Sequence, residues 1–121
     1  MSRILYIDDE ADIREVAQMS LEIDPDFEVR TCASGAEGIA QARDWAPDLI
    51  LLDVMMPQMD GPEVFRRLRE HPATASIPVV FITARTQALE VAALEQLGGR
   101  GVIAKPFDPM ALARQARGYL P

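Results

Sequence analysis

Four short stretches of this 121-residue chain carry side chains able to do chemistry: Asp8-Asp9-Glu10, Asp53, Thr83 and Lys105. Their types suit one task. Carboxylates brought together repel one another, and a divalent cation removes that repulsion. All-oxygen ligation completed by water suits magnesium, with manganese as the alternative. An aspartate can accept a phosphoryl group covalently. A threonine hydroxyl can donate to a phosphoryl oxygen, and a lysine facing the acids is a point charge that can hold an aspartate or a phosphoryl oxygen. Phosphoryl transfer needs chiefly positioning and charge neutralisation, and this set offers both. Each residue also has a plainer role. Asp8 and Asp9 can cap a helix, Asp53 can sit in a turn, Thr83 is a common strand residue, and Lys105 can be a surface lysine. Their joint placement at the ends of four apolar runs argues for chemistry.

For these residues to meet, the chain must bring positions 8, 53, 83 and 105 to one place. The periodicity supplies suitable elements. Residues 4–7 form an apolar strand ended by Asp8. A helix over 11–23 follows, with Ile13, Val16, Ala17, Ser20 and Leu21 on one face, broken at Asp24-Pro25-Asp26. Residues 27–32 alternate as a second strand. Ser34 and Glu37 form a capping box for a helix running to about residue 44, before Pro47. Residues 49–52 are apolar on both faces, as a central strand covered on both sides would be, and Asp53 ends them. A loop over 54–60, a helix from about 62 to 70 and a strand over 78–82 come next. A helix over 87–97 is closed by Gly98-Gly99. A strand over 101–104 ends at Lys105, and Asp108-Pro109 is expected to open the last helix. Five strands alternating with five helices predict an α/β fold, a parallel sheet with helices on both faces. Right-handed crossovers then gather the loops after each strand at one edge, where such sheets bind ligands.

The length predicts one domain over residues 1–121. The formal net charge of -7 counts against direct nucleic-acid binding, which calls for a basic surface. No apolar run approaches the roughly 20 residues of a membrane span. The N-terminal run is too short for a signal peptide, so a cytoplasmic location is expected. The single cysteine, Cys32, reads as a buried small hydrophobe. His71, the only histidine, reads as a solvated helix-end residue. The chain has no Gly-rich phosphate loop, serine elbow or Cys/His metal cluster. The absence of linker composition after Leu120 favours a stand-alone protein over a piece of a larger one.

From Ile4 to about Leu120 the chain resembles the receiver domain of bacterial two-component response regulators. The resemblance rests on Asp8-Asp9-Glu10, Asp53-Val54-Met55-Met56-Pro57 with Asp60-Gly61, Thr83-Ala84, and Lys105-Pro106-Phe107. It implies a flavodoxin-like three-layer sandwich with strand order 2-1-3-4-5. It implies Asp53 as phosphoacceptor and Asp9 as direct magnesium ligand. Asp8 would act through a water, and the Met55 backbone carbonyl would complete the set. Thr83 would bind the phosphoryl group, and Lys105 would pair with it across a usually cis bond to Pro106. The implied partners are a sensor histidine kinase or phosphotransfer protein and a downstream protein target. The protein would be a monomer or a phosphorylation-dependent dimer. Its only reactions would be its own phosphorylation and dephosphorylation, so it is not otherwise an enzyme. Phosphorylation would change the surface made by the fourth helix, fifth strand and fifth helix. One departure stands out: Val102 occupies a position, three before the lysine, that in this family is often an aromatic switch. Met55 and Arg85 flank the expected path of attacking water. A haloacid dehalogenase-type phosphatase fits less well, since Met55 stands where its second aspartate belongs and no cap domain fits the length. A flavodoxin-like carrier is disfavoured by the acids after strand one. The fourth helix is apolar around its circumference, with Leu89, Val91, Leu94 and Leu97. Val91 or Leu94 is a candidate for a partner or dimer surface against the plainer reading of helix-favouring surface alanines.

Overall fold

The computed structural model describes residues 1–121. In chain order the elements are β1 (Ser2–Ile7), α1 (Ala11–Leu21), β2 (Phe27–Cys32), α2 (Gly35–Trp45), β3 (Leu49–Asp53), α3 (Gly61–Glu70), β4 (Val79–Thr83), α4 (Ala88–Leu97), β5 (Gly101–Ala104) and α5 (Leu112–Tyr119). The strands pair in parallel in the order β2-β1-β3-β4-β5. This is the doubly wound arrangement expected from the sequence.

Strand alternation builds the core on both sides of the sheet. Leu5, Ile7, Ile50, Leu52 and Phe81 point to one face, where Val64, Phe65 and Leu68 of α3, Trp45 of α2 and Leu94 of α4 cover them. Ile4, Tyr6, Leu49, Leu51, Val80 and Ile82 point to the other, under Ala17 and Leu21 of α1 and Leu112 and Ala116 of α5. Every residue of β3 and β4 is buried, which is why these runs are apolar without interruption. The rigid centre of the sheet therefore ends directly in Asp53 and Thr83.

The caps explain where the helices begin and stop. The Ser34 hydroxyl accepts the Glu37 backbone N–H at 3.2 Å, although the Glu37 carboxylate returns to the Ser34 hydroxyl rather than to its backbone. Asp60 accepts the Glu63 N–H at 3.0 Å to open α3. Gly98, at φ 126°, ends α4 in a conformation that costs a glycine little.

Three expectations need correction. Val16, which the helical period places on the inner face of α1, is 39% exposed; the inward stripe is Ala17, Ser20 and Leu21. α1 also stops at Leu21, because the Asp24 N–H turns back to the Leu21 carbonyl. Asp108 does not cap α5. Its carboxylate accepts the Met110 N–H and its carbonyl accepts those of Ala111 and Leu112, making a tight turn, and the helix starts at Leu112. Cys32 is buried, and burial pushes its thiol up to about 11, which keeps it protonated. No helix is long and apolar enough to cross a membrane.

Candidate functional site

The sheet register gathers the site. Ile7 pairs with Leu52, so Asp8 and Asp53 each lie one residue further along neighbouring strands. Asp53 pairs with Ile82, and Thr83 pairs with Ala104, the residue before Lys105. Asp8, Asp53, Thr83 and Lys105 therefore come together at the carboxyl edge of the sheet. The Lys105 backbone N–H is fixed to the Thr83 carbonyl at 2.9 Å. The Lys105–Pro106 peptide bond is cis.

Asp8 is 0% exposed and Asp53 is 2% exposed, yet both are satisfied. The Lys105 ammonium donates to Asp8 Oδ2 at 3.1 Å, Asp53 Oδ2 at 3.3 Å and Glu10 Oε1 at 3.4 Å. The Tyr6 hydroxyl donates to the same Asp8 Oδ2 at 3.0 Å, and the Glu10 backbone N–H donates to Asp8 Oδ1 at 3.0 Å. Arg14 of α1 donates to the Asp8 backbone carbonyl at 2.9 Å.

The electrostatics are lopsided. Burial, and then the Asp8 charge, push the Asp53 carboxyl up to about 6; Lys105 and a backbone N–H from Met55 pull the other way without prevailing. For Lys105 burial favours the neutral amine, but the Asp8 and Asp53 carboxylates outweigh it and hold the ammonium above its ordinary value. Burial and the Asp8 charge raise the Tyr6 phenol far above its usual range, so it remains a hydrogen-bond donor.

Carboxylate oxygens of Asp8, Asp9 and Asp53 lie within 4.8 Å of one another. Asp9 is the exposed member. This donor set is purely oxygen, carries excess negative charge, and leaves one acid free to move toward an ion. It fits a small hard divalent cation that keeps several waters. The loop after β3 closes tightly over the cluster. A Cβ on Gly61 would lie 2.7 Å from the Asp53 carbonyl oxygen, so only glycine permits the approach. Beside Asp53 opens a cleft of about 620 Å³, walled by Glu10, Ile13, Met55, Lys105 and Phe107. Thr83 is buried next to it, and its hydroxyl accepts the Arg85 backbone N–H at 3.0 Å.

His71 lies apart at the far end of α3, where its Nδ1 accepts the Ala73 N–H. Sequence reasoning gave no role to Tyr6 or Arg14, and none of its own to Glu10. For Tyr6 a signal existed: it stands two residues before Asp8, and strand alternation sends positions i and i+2 to the same side.

Residues 4–117 match the family model of the response regulator receiver domain. The chain is 38% identical over 117 residues to response regulator Rre1 of a Synechocystis species, an alignment covering 97% of this chain and 51% of that protein. It is 35% identical over 118 residues to the DNA-binding response regulator MtrA of Mycobacterium tuberculosis, covering 98% and 50%. The chain thus spans about half the length of the curated relatives it matches. Among solved structures it resembles chemotaxis protein CheY4 of Vibrio cholerae, with a TM-score of 0.90 and 31% identity over 99% of each chain. A putative response regulator from Chloroflexus aurantiacus gives a TM-score of 0.87 and 30% identity, covering 98% of this chain and 96% of that one.

Proposed function

The chain belongs to the response regulator receiver family, and from that premise we propose that Asp53 is its phosphoacceptor, loaded by a partner histidine kinase or phosphotransfer protein. The observation that carries this reading is the contact of one lysine ammonium with both buried aspartates, Asp8 and Asp53, at the edge of a rigid sheet. In the reaction an ionised Asp53 oxygen attacks the phosphorus of a phosphohistidine. The P–O bond forms as the P–N bond breaks, and the bonding pair stays with the histidine nitrogen, which leaves as a neutral imidazole protonated at its other ring nitrogen. Asp9, Asp53, the Met55 carbonyl and, through a water, Asp8 would hold Mg²⁺. The bound ion would neutralise charge on the acids and on the phosphoryl oxygens.

Lys105 then exchanges its carboxylate contact for a phosphoryl oxygen. The Thr83 hydroxyl donates to another phosphoryl oxygen. Because that hydroxyl also accepts the Arg85 N–H, its displacement moves the backbone leading into α4. Val102 offers no aromatic ring to relay the change, so backbone movement over 84–87 carries it to the α4-β5-α5 surface, where a partner protein reads it. Leu89 is 87% exposed on that surface. We assign the protein no chemistry beyond its own phosphorylation and dephosphorylation, no direct nucleic-acid contact by this domain, and a cytoplasmic location.

With Mg²⁺ and acetyl phosphate, the intact mass rises by one phosphoryl group, and Asp53→Asn abolishes the adduct. Labelling that persists in Asp53→Asn, or that needs no divalent ion, overturns the assignment. In the unphosphorylated protein, amide exchange with and without beryllofluoride differs from Ala84 to Leu97. A change confined to the loop after Asp53 removes α4 from the output.

A further inference from the structure

We propose that Tyr6 is a positioning residue of the acid cluster, whose phenol holds the Asp8 carboxylate in place so that Lys105 can leave it for the phosphoryl group. The inference rests on the phosphoacceptor reading of Asp53. Asp8 Oδ2 has two donors at nearly equal distance, the Tyr6 hydroxyl at 3.0 Å and the Lys105 ammonium at 3.1 Å. Asp8 Oδ1 is already taken by the Glu10 N–H. With Lys105 as its only protein donor, Oδ2 would lose every fixed partner when the lysine moved, and a buried anion short of partners is disfavoured. Tyr6 removes that obstacle because it cannot follow the lysine. It is fully buried in β1, and its ring stands edge-on to Phe107, with centroids 6.4 Å apart and planes at 73°. Phe107 is part of the turn that carries Lys105 and Pro106. The same ring therefore sets the direction of the hydroxyl and packs against the segment that presents the lysine.

An ordinary buried tyrosine would serve only packing, and the substitution that keeps packing separates the two roles. Tyr6→Phe retains the ring and deletes the donor. Isothermal titration with Mg²⁺ alone, without phosphodonor, gives an affinity about tenfold weaker in a folded Tyr6→Phe variant, the scale on which residues supporting metal ligands act. Acetyl-phosphate labelling shifts to higher Mg²⁺, with its maximal rate recovered at saturation. An unchanged affinity in a variant with native circular dichroism overturns the proposal. The unmodified protein decides the matter if Tyr6→Phe does not fold. The Tyr6 hydroxyl proton stays slowly exchanging by NMR after Mg²⁺ and beryllofluoride are added, and its loss overturns the proposal. If the unmodified protein takes no phosphoryl group, the reading of Asp53 falls and this inference with it. If it is labelled while Tyr6→Phe matches it in Mg²⁺ affinity, only the role of Tyr6 falls.

Discussion

At the carboxyl edge of the sheet, Asp8, Asp9, Asp53 and Glu10 gather around a single lysine. At the amino edge, Arg117 of α5 reaches Asp24 at 2.7 Å and Asp26 at 3.3 Å, and the N-terminal amine stands 3.9 Å from Asp26. Two acids there meet two cations. At the carboxyl edge Asp8 and Asp53 are buried, the acids outnumber the cation, and Asp53 is pushed up. The amino-edge charges are solvated and matched. A backbone N–H from Asp26 and then Arg117 hold the Asp24 carboxyl below its ordinary value, and the two acids raise Arg117. The amino-edge group ties α5 to the turn between α1 and β2. The carboxyl-edge group stores repulsion that a cation and a phosphoryl exchange can relieve. Charges placed for stability and charges placed for chemistry are thus separated by the length of the strands.

The largest test removes the stored repulsion. Asp53 ionises near 3.8 when unfolded and at about 6 when folded. Well below pH 3.8 it is protonated in both states, and its contribution to folding is fully present. As pH rises from 3.8 through 6 that contribution is lost, because the unfolded chain releases the proton more readily. Metal-free protein should therefore lose stability on the order of 2 kcal/mol between pH 4 and 7 through this group. Asp53→Asn should remove that loss and melt higher at pH 7, and Mg²⁺ should restore the unmodified protein while leaving the variant nearly unmoved. Urea unfolding at both pH values checks this, and an Asp53→Asn protein less stable than its parent at pH 7 contradicts it.

Asp9 sharpens the contrast within the cluster. The N-cap of α1 is Glu10, with no side-chain cap bond, so Asp9 caps nothing and buries nothing. Asp9→Ala should leave metal-free stability within about 0.5 kcal/mol. It should weaken Mg²⁺ binding by at least about tenfold. A large drop in melting temperature without metal would return Asp9 to a structural role.

Much of this contrast was legible in the chain before the fold was known. An uninterrupted apolar run such as residues 49–52, within a chain that alternates strands and helices, reads as a strand covered on both faces, and an aspartate at its end falls at the sheet's carboxyl edge. Parallel topology then aligned positions 8, 53, 83 and 105 without knowledge of any side-chain position. Sequence was blind where rotamers and neighbours decide. Asp8 and Asp9 are adjacent and identical in type, and only packing against Tyr6 and Lys105 buries one and exposes the other. Val16 satisfied the helical period but lies just outside the contact of α1 with the sheet. Asp108 has the sequence of a cap, yet its bonds close a turn three residues early. The amino-edge group escaped notice altogether, since Asp24 and Arg117 are far apart in the chain and carry no motif.

The smallest effect is expected at that amino edge, and it decides whether the two edges differ in kind. Arg117 is half exposed, so water and salt screen its ion pairs. Its guanidinium also lies 5.0 Å from the centre of the Phe27 ring. Truncation would confuse these contributions, so Arg117→Met, which keeps a flexible apolar stem, is the cleaner change. Its melting temperature should fall slightly at low salt, and the difference should shrink in concentrated salt. Mg²⁺ affinity and acetyl-phosphate labelling should not move, because the length of the strands separates Arg117 from Asp53. If Arg117→Met instead alters labelling of Asp53 at matched stability, then α5 links the two edges and their charges form one system.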